Sequence, residues 1–151
     1  MNRDEFSERV LGQTDRMYRI AYSLLRNNED CRDAMQEAAL RAWEKRNTLR
    51  EEKYFATWLT RILINECRNI QRRRKRLVSI EEIAEPAIQA EDPALSIALQ
   101  HLPEKLRLPL VLHVSEGLSY EEISTILHLP KSTISGRIHR AKQQLRKELE
   151  V

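Results

Sequence analysis

The chain has 151 residues, a net charge of +3, 32% charged residues and only 3 glycines. This length suits one ordinary domain or two small ones, and the charged, glycine-poor composition favours helices over a sheet protein rich in tight turns. No apolar run nears the roughly 20 residues of a membrane span, and the start MNRDEFSERV lacks the apolar core of a signal peptide. A cytoplasmic protein with no direct membrane insertion is therefore expected. Cys31 and Cys67 lie far apart with no CxxC, which points to reduced thiols.

Residues 4–25 read as one amphipathic helix, with Phe6, Val10, Met17, Ile20, Ala21 and Leu24 mostly on one face. Asn27-Asn28 ends it and offers a cap for a second helix over 29–46. That helix has acids in its first turn and Lys45 and Arg46 in its last, as the helix dipole favours. Its inner face is Ala34, Met35, Ala38, Ala42 and Trp43, small enough in places for another helix to approach closely. Its outer face carries Asp33, Gln36, Glu37 and Arg41.

A polar connection, NTLREEK at 47–53, leads to a third helix over 54–73. Phe55, Leu59, Ile62, Leu63 and Ile70 are its core candidates, and Thr57, Arg61, Asn65, Arg68 and Asn69 lie on its open side. It finishes in QRRRKR, where Arg72 to Arg76 read as unspecific phosphate contacts. Trp43 reads as a core residue by size and helix position; for Trp58 the core reading stands ahead of base stacking. Tyr54 starts a helix beside a loop, and both base contact and packing suit it.

From 77 the character changes. Glu81, Glu82, Glu85, Glu91 and Asp92 have no basic residue among them, and Pro86 discourages a continuous helix, so 77–92 reads as a flexible acidic linker. Asp92-Pro93 then opens a helix by the pairing of a cap with a first-turn proline. Leu95, Leu99 and Leu102 supply its apolar side. Leu102-Pro103 restarts the chain, and 104–116 forms a helix with Leu106, Leu110, Val111 and Val114 inward. Gly117 suits the left-handed position beyond its end.

Residues 117–149 read as two helices around a tight turn. Ser119 and Glu122 have the spacing of a capping box, worth about 1 kcal/mol. Ile123, Ile126 and Leu127 give the first helix an apolar face, and Leu129-Pro130 interrupts it. Ile134, Ile138, Ala141 and Leu145 stripe the second helix, and Lys131, Ser132, Thr133, Ser135, Arg137, His139, Arg140 and Lys142 occupy its other faces. Hydroxyls at a helix N-terminus with basic residues behind them are what a helix-turn-helix needs to reach base edges and phosphates.

The expected fold is all-α, with two small helical domains at 1–76 and 93–151. No enzyme site is visible. His101, His113, His128 and His139 show no HExxH pairing and no metal-ligand spacing with the cysteines, and no glycine-rich phosphate loop is present. No cofactor and no small-molecule substrate is expected.

Three pieces in fixed order resemble a family. They are Asp33-Ala-Met-Gln36-Glu37 on the second helix, Phe55-Ala-Thr57-Trp58-Leu59-Thr-Arg61-Ile-Leu-Ile-Asn65 on the third, and LSYEEISTILHLPKSTISGRIHRAKQQL near the end. Together they resemble the bacterial RNA polymerase sigma factors of the sigma-70 family, in the short two-domain form of the extracytoplasmic-function (ECF) group. The resemblance covers residues 18–76 and 101–149. It implies a three-or-four-helix sigma domain 2 and a helix-turn-helix sigma domain 4. Asp33, Gln36, Glu37 and Arg41 would dock on the β′ clamp helices of core RNA polymerase. Arg50, Lys53, Tyr54, Arg61, Asn65, Arg68, Asn69 and Arg72 would bind and melt the −10 promoter element, Asn65 at the position that holds a flipped base. Lys131, Ser132, Thr133, Ser135, Arg137, His139, Arg140 and Lys142 would read the −35 element, and that domain would touch the β flap. The linker would thread the polymerase cleft, its acids imitating nucleic acid. The family often pairs with an anti-sigma factor that covers both domains.

The sequence departs from the family pattern at Cys31-Arg32, Ala39, Ser135 and Gly136, which bears on −35 preference rather than on class. Glycine inside a helix costs about 1 kcal/mol relative to alanine, and close approach to the DNA backbone would account for Gly136. Two other functions compete. A free-standing helix-turn-helix regulator would explain the C-terminal half but leave 47–76 without a task. A helical module that sequesters a protein partner would need DNA contact from none of the basic residues.

Overall fold

The computed structural model describes residues 1–76 and 92–150. Those residues form eight α-helices and no strand. The chain divides into two compact units, Met1–Glu85 and Pro86–Val151. Apart from Asp92, the expected linker lies outside the described residues.

The first unit contains α1 (Arg3–Gly12), α2 (Thr14–Leu25), α3 (Asn28–Glu44) and α4 (Phe55–Arg76). Local chemistry sets the starts. Asn2 accepts from Glu5 N at 2.9 Å, and Asn27 accepts from Asp30 N at 2.9 Å, each satisfying an orphan donor of a first turn. The single helix expected over 4–25 is two helices. Gly12 weakens the helix, and Gln13 leaves helical geometry at φ −102°, ψ 1°. The break lets Phe6 pack edge-on against Trp43 at 5.2 Å and Phe55 at 6.0 Å between ring centroids.

Helices α2, α3 and α4 pack on one another to make the core. Ile20, Ala21, Ala34, Ala38, Ala42 and Leu63 are fully enclosed there. The alanines allow the close helix approach read from the sequence. On α4 the buried line is Phe55, Leu59, Thr60, Leu63, Ile64, Glu66, Cys67 and Ile70. Ile62, expected inward, is half-buried, while Ile64 and Cys67 take core places. Cys31 and Cys67 are both buried free thiols.

The second unit contains α5 (Pro93–His101), α6 (Glu104–Leu110), α7 (Tyr120–Leu127) and α8 (Lys131–Leu149). Asp92 caps α5 by accepting from Ala94 N at 3.0 Å and Leu95 N at 3.3 Å. The helix expected over 104–116 changes pitch midway. Pro109 has no N–H to donate within α6, and Val111–Ser115 follows as a π-helical turn in which Glu116 N bonds Val111 O at 3.2 Å. The wider turn alters the side-chain phase. Leu108, Pro109 and Leu112 join the core, while Val114, expected inward, is 62% exposed. On α5, Ala98 rather than Leu95 faces inward.

Arg107 is buried in this unit and donates to Leu102 O at 3.0 Å. Burial draws its guanidinium below the usual arginine value, and nearby Glu104 pulls the other way. Gly117 adopts φ +69°, the left-handed conformation expected of it. Ser119 accepts from Glu122 N at 3.1 Å and its own N–H donates to Glu122 Oε1 at 3.0 Å, completing the capping box of α7. Helix α8 starts one residue later than a first-turn proline would place it, with Pro130 at the cap position.

Candidate nucleic-acid interface

In the first unit, three side-chain groups converge around α4. The first is the outer stripe of α3. Asp33, Gln36, Glu37 and Arg41 are all exposed, and Leu40, 59% exposed, sits in the same stripe. The spacing i, i+3, i+4, i+7, i+8 keeps them on one side. The four polar residues line an open groove of about 450 Å³ together with Glu66, Asn69 and Arg73 of α4. Arg41 Nε meets Glu66 Oε1 at 3.3 Å, and Glu66 is almost wholly enclosed. Sequence reading missed Glu66, although its phase with Leu59, Leu63 and Ile70 marks an inward position.

The second group is the connection between α3 and α4. It holds two single 3-10 turns, Arg46–Thr48 and Glu52–Tyr54. Several contacts fix its shape. The Arg46 guanidinium lies 4.0 Å from the Trp43 ring centroid and donates to Trp43 O at 2.8 Å. Trp58 Nε1 donates to Thr48 Oγ1 at 3.1 Å, and Thr48 Oγ1 donates to Lys45 O at 2.7 Å. Arg50, Lys53 and Tyr54 project outward, Tyr54 with 54% of its surface exposed. Lys53 Nζ lies 5.1 Å from the Tyr54 ring centroid. Beside them opens a hollow of about 260 Å³ lined by Met1, Phe6, Arg46, Asn47, Leu49, Glu52, Phe55 and Trp58. Trp43 and Trp58, expected in the core, are both half-buried, and Trp58 lines this hollow.

The third group is the exposed line of α4. Arg61, Asn65, Arg68 and Arg72 follow i, i+4, i+7, i+11, a single narrow stripe in which Arg68 is half-buried and the other three are exposed. Asn69 stands at its edge, accepts from Arg72 and turns into the groove shared with α3. Arg74 is tied to Asp30 at the start of α3. Arg73, Lys75 and Arg76 remain exposed. The stripe is therefore cationic along its length, with an aromatic-bordered hollow at its start.

In the second unit, α8 is held by Ile134, Ile138 and Ala141 alone among fully buried positions. Ser132, Ser135 and His139 share one exposed line, and Thr133, Arg137 and Arg140 share the next, in which Thr133 and Arg137 are half-buried and Arg140 is exposed. Lys131 stands at the N-terminus, 3.8 Å from Glu121 of α7, and Lys142 is exposed further along. Pro130 provides no side-chain hydrogen bond at the start of α8, in contrast to the closed box on α7. A Cβ at Gly136 would meet only Arg140 Nη1, at 3.7 Å, an ordinary contact. The fold therefore does not require glycine there.

Both units match known protein families. Residues 14–77 match Sigma-70 region 2, and residues 94–145 match Sigma-70, region 4. The chain is 36% identical to the ECF RNA polymerase sigma factor SigE of Mycolicibacterium smegmatis, over 93% of this chain and 60% of that protein. It is 31% identical to the ECF RNA polymerase sigma factor SigW of Bacillus subtilis, over 98% of this chain and 90% of that one. Among solved structures it is similar to the sigma factor RpoE in complex with the anti-sigma factor NepR from Bartonella quintana. That likeness has a TM-score of 0.85 and 28% identity, and it covers 97% of this chain and 98% of that one. CnrH in complex with the cytosolic domain of CnrY is also similar, with a TM-score of 0.77, 26% identity, and coverage of 99% and 90%. With both sigma regions matched in order and near full-length relatives at this identity, the chain belongs to the ECF group of RNA polymerase sigma factors.

Proposed function

We propose that this chain binds core RNA polymerase and directs promoter-specific initiation of DNA-templated transcription, each unit gripping the promoter differently. The observation that carries this reading is the pairing of family membership with two cationic surfaces of unlike shape, a narrow stripe on α4 and a broad face on α8. The functional heads are residues 1–76 and 93–151, with 77–92 as their tether.

Asp33, Gln36, Glu37 and Arg41 supply the contact to the β′ clamp helices. Arg50, Lys53 and Tyr54 from the connection, with Arg61, Asn65, Arg68, Asn69 and Arg72 from α4, take up the −10 element as its strands part. A separated strand offers unstacked bases and a flexible line of phosphates, which aromatic edges and a cationic track suit. Asn65, whose amide has both donors and acceptors, receives a flipped base. Lys131, Ser132, Thr133, Ser135, Arg137, His139, Arg140 and Lys142 address the −35 element as duplex, where a helix fits the major groove. The second unit also touches the β flap.

The chain supplies no catalytic group, cofactor site or small-molecule site in this scheme; polymerase makes the RNA. It acts in the cytoplasm, where the polymerase and the promoter are. No helix among the described residues is long and apolar enough to cross a membrane. An anti-sigma factor is a further partner, by analogy with NepR on the similar sigma factor RpoE.

Run-off transcription with purified core polymerase on a promoter library tests the reading. Addition of the chain is expected to produce discrete transcripts from a subset of templates. A chain that footprints duplex DNA alone and never licenses core polymerase would be a free-standing regulator instead. One that binds a protein partner with no need of its basic residues would be a sequestering module.

A further inference from the structure

Helix α1 precedes the segment that matches Sigma-70 region 2, which begins at residue 14. It nevertheless reaches the connection between α3 and α4 at two points. Arg9 Nη2 meets Glu52 Oε2 at 2.8 Å, a contact across 43 positions of sequence. Phe6, only 5% exposed, inserts its ring between Trp43, where the connection departs, and Phe55, where it returns. The Arg9 guanidinium also lies 5.9 Å from the Phe55 ring centroid. Both ends of the connection and the acidic start of its second 3-10 turn are thus fastened to one helix.

We propose that α1 is a positioning element for promoter opening: through Phe6 and the Arg9–Glu52 pair it sets the placement of residues 45–54, from which Arg50, Lys53 and Tyr54 meet the −10 element. This rests on the functional reading above and extends it to residues outside the matched region. The physical need is plain. The connection makes only single 3-10 turns, and such turns hold their geometry poorly without outside contacts. A base-holding site works only if its donors and rings stay within a fraction of an ångström of their working positions. Phe6 supplies the apolar prop. Arg9–Glu52, with side-chain exposures of 38% and 61%, adds little to overall stability but fixes one arrangement of the turn that carries Lys53 and Tyr54.

The test uses full-length chain, core polymerase and a linear promoter selected by the wild-type holoenzyme from a randomised library. Permanganate reactivity of unpaired thymines reports strand opening. Arg9→Glu and Glu52→Arg should each slow opening about fivefold, the scale of losing one ion pair and meeting a like charge. The double variant should return to within about twofold of wild type. Affinity for core polymerase and for −35 duplex should stay unchanged in all three. The single variants should also alter the ranking of templates substituted within the −10 element, which mere loss of stability would leave intact. Glu52→Arg is decisive in sign. Simple attraction to phosphate predicts faster opening, whereas a positioning role predicts slower. Opening by Glu52→Arg at or above the wild-type rate, or no recovery in the double variant, overturns the proposal. Failure of wild-type chain to open any template would instead overturn the functional reading itself.

Discussion

The two long helices α4 and α8 both carry many basic residues, yet they are held in opposite ways. Helix α4 buries eight positions, from Phe55 to Ile70, because α2 and α3 both pack against it. Helix α8 buries only Ile134, Ile138 and Ala141, although α5, α6 and α7 all pack along that one side of it. A helix walled in by its neighbours can show solvent one line of side chains, which is the shape of a single strand's backbone. A helix fastened by a narrow stripe leaves two or three lines free, which is what entry into a groove requires. The cationic composition is shared, and the depth of burial separates the two proposed tasks.

The strongest way to break this comparison is to loosen each helix separately. Leu63 on α4 is fully enclosed and Ile138 on α8 is 1% exposed. Truncating either to alanine should cost about 2–5 kcal/mol. Leu63→Ala should destabilise the first unit and abolish strand opening while −35 duplex binding persists. Ile138→Ala should do the reverse. Thermal melting read alongside duplex binding checks both, and loss of both activities from either change would mean the units do not act as separate heads.

Next in size is the α3 stripe, proposed to face polymerase rather than DNA. Asp33→Ala combined with Glu37→Ala should weaken core polymerase binding about tenfold, equivalent to roughly 1.4 kcal/mol. Both residues are exposed, so folding should be unaffected. Wild-type affinity in a direct binding assay would remove the clamp assignment.

How much of the molecule is legible in its sequence depends on the range of each interaction. The caps at Asp92 and Ser119 and the left-handed Gly117 are read within four residues, and all three appear as expected. The outer stripe of α3 follows from helical period alone, and Asp33, Gln36, Glu37 and Arg41 are exposed together. The break at Gln13 is harder to see, because the apolar pattern runs through it and only Gly12 hints at a stop. The π turn after Pro109 shifts Val114 outward, and no periodic template contains such a turn. Least legible are interactions between distant residues. Nothing near Arg9 in sequence names Glu52 as its partner, and the aromatic hollow exists only once Phe6, Phe55 and Trp58 are brought together. The size of Trp58 suggests core, but its indole N–H is spent on Thr48 at the rim.

Gly136 sharpens the contrast at intermediate scale. A methyl group there meets nothing closer than 3.7 Å, and alanine is the better helix former by up to about 1 kcal/mol. Gly136→Ala should therefore stabilise the second unit by about that amount. If the exposed face of α8 lies close against duplex, the same methyl should weaken −35 binding several-fold. Greater stability with undiminished duplex affinity would show that the DNA backbone does not approach α8 at this point.

The smallest effect discriminates most finely, because it separates duplex from single strand. Removing one cation from a phosphate should reduce the slope of log affinity against log salt by about 0.9 on duplex and about 0.7 on a single strand. Lys131, Arg137 and Arg140 belong to the broad face of α8 and Arg72 to the narrow line of α4. Alanine at any one of the first three should lower the slope for −35 duplex by about 0.9, so that between 50 and 200 mM salt the deficit relative to wild type narrows about 3.5-fold. Arg72→Ala should leave that slope alone and lower the slope for holoenzyme on a −10 single strand by about 0.7, a change of about 2.6-fold over the same range. Unchanged slopes in all three α8 variants would contradict the placement of that helix on DNA. An Arg72→Ala effect on duplex equal to theirs would show that α4 tracks a double helix after all, and the division of labour drawn from burial would fail.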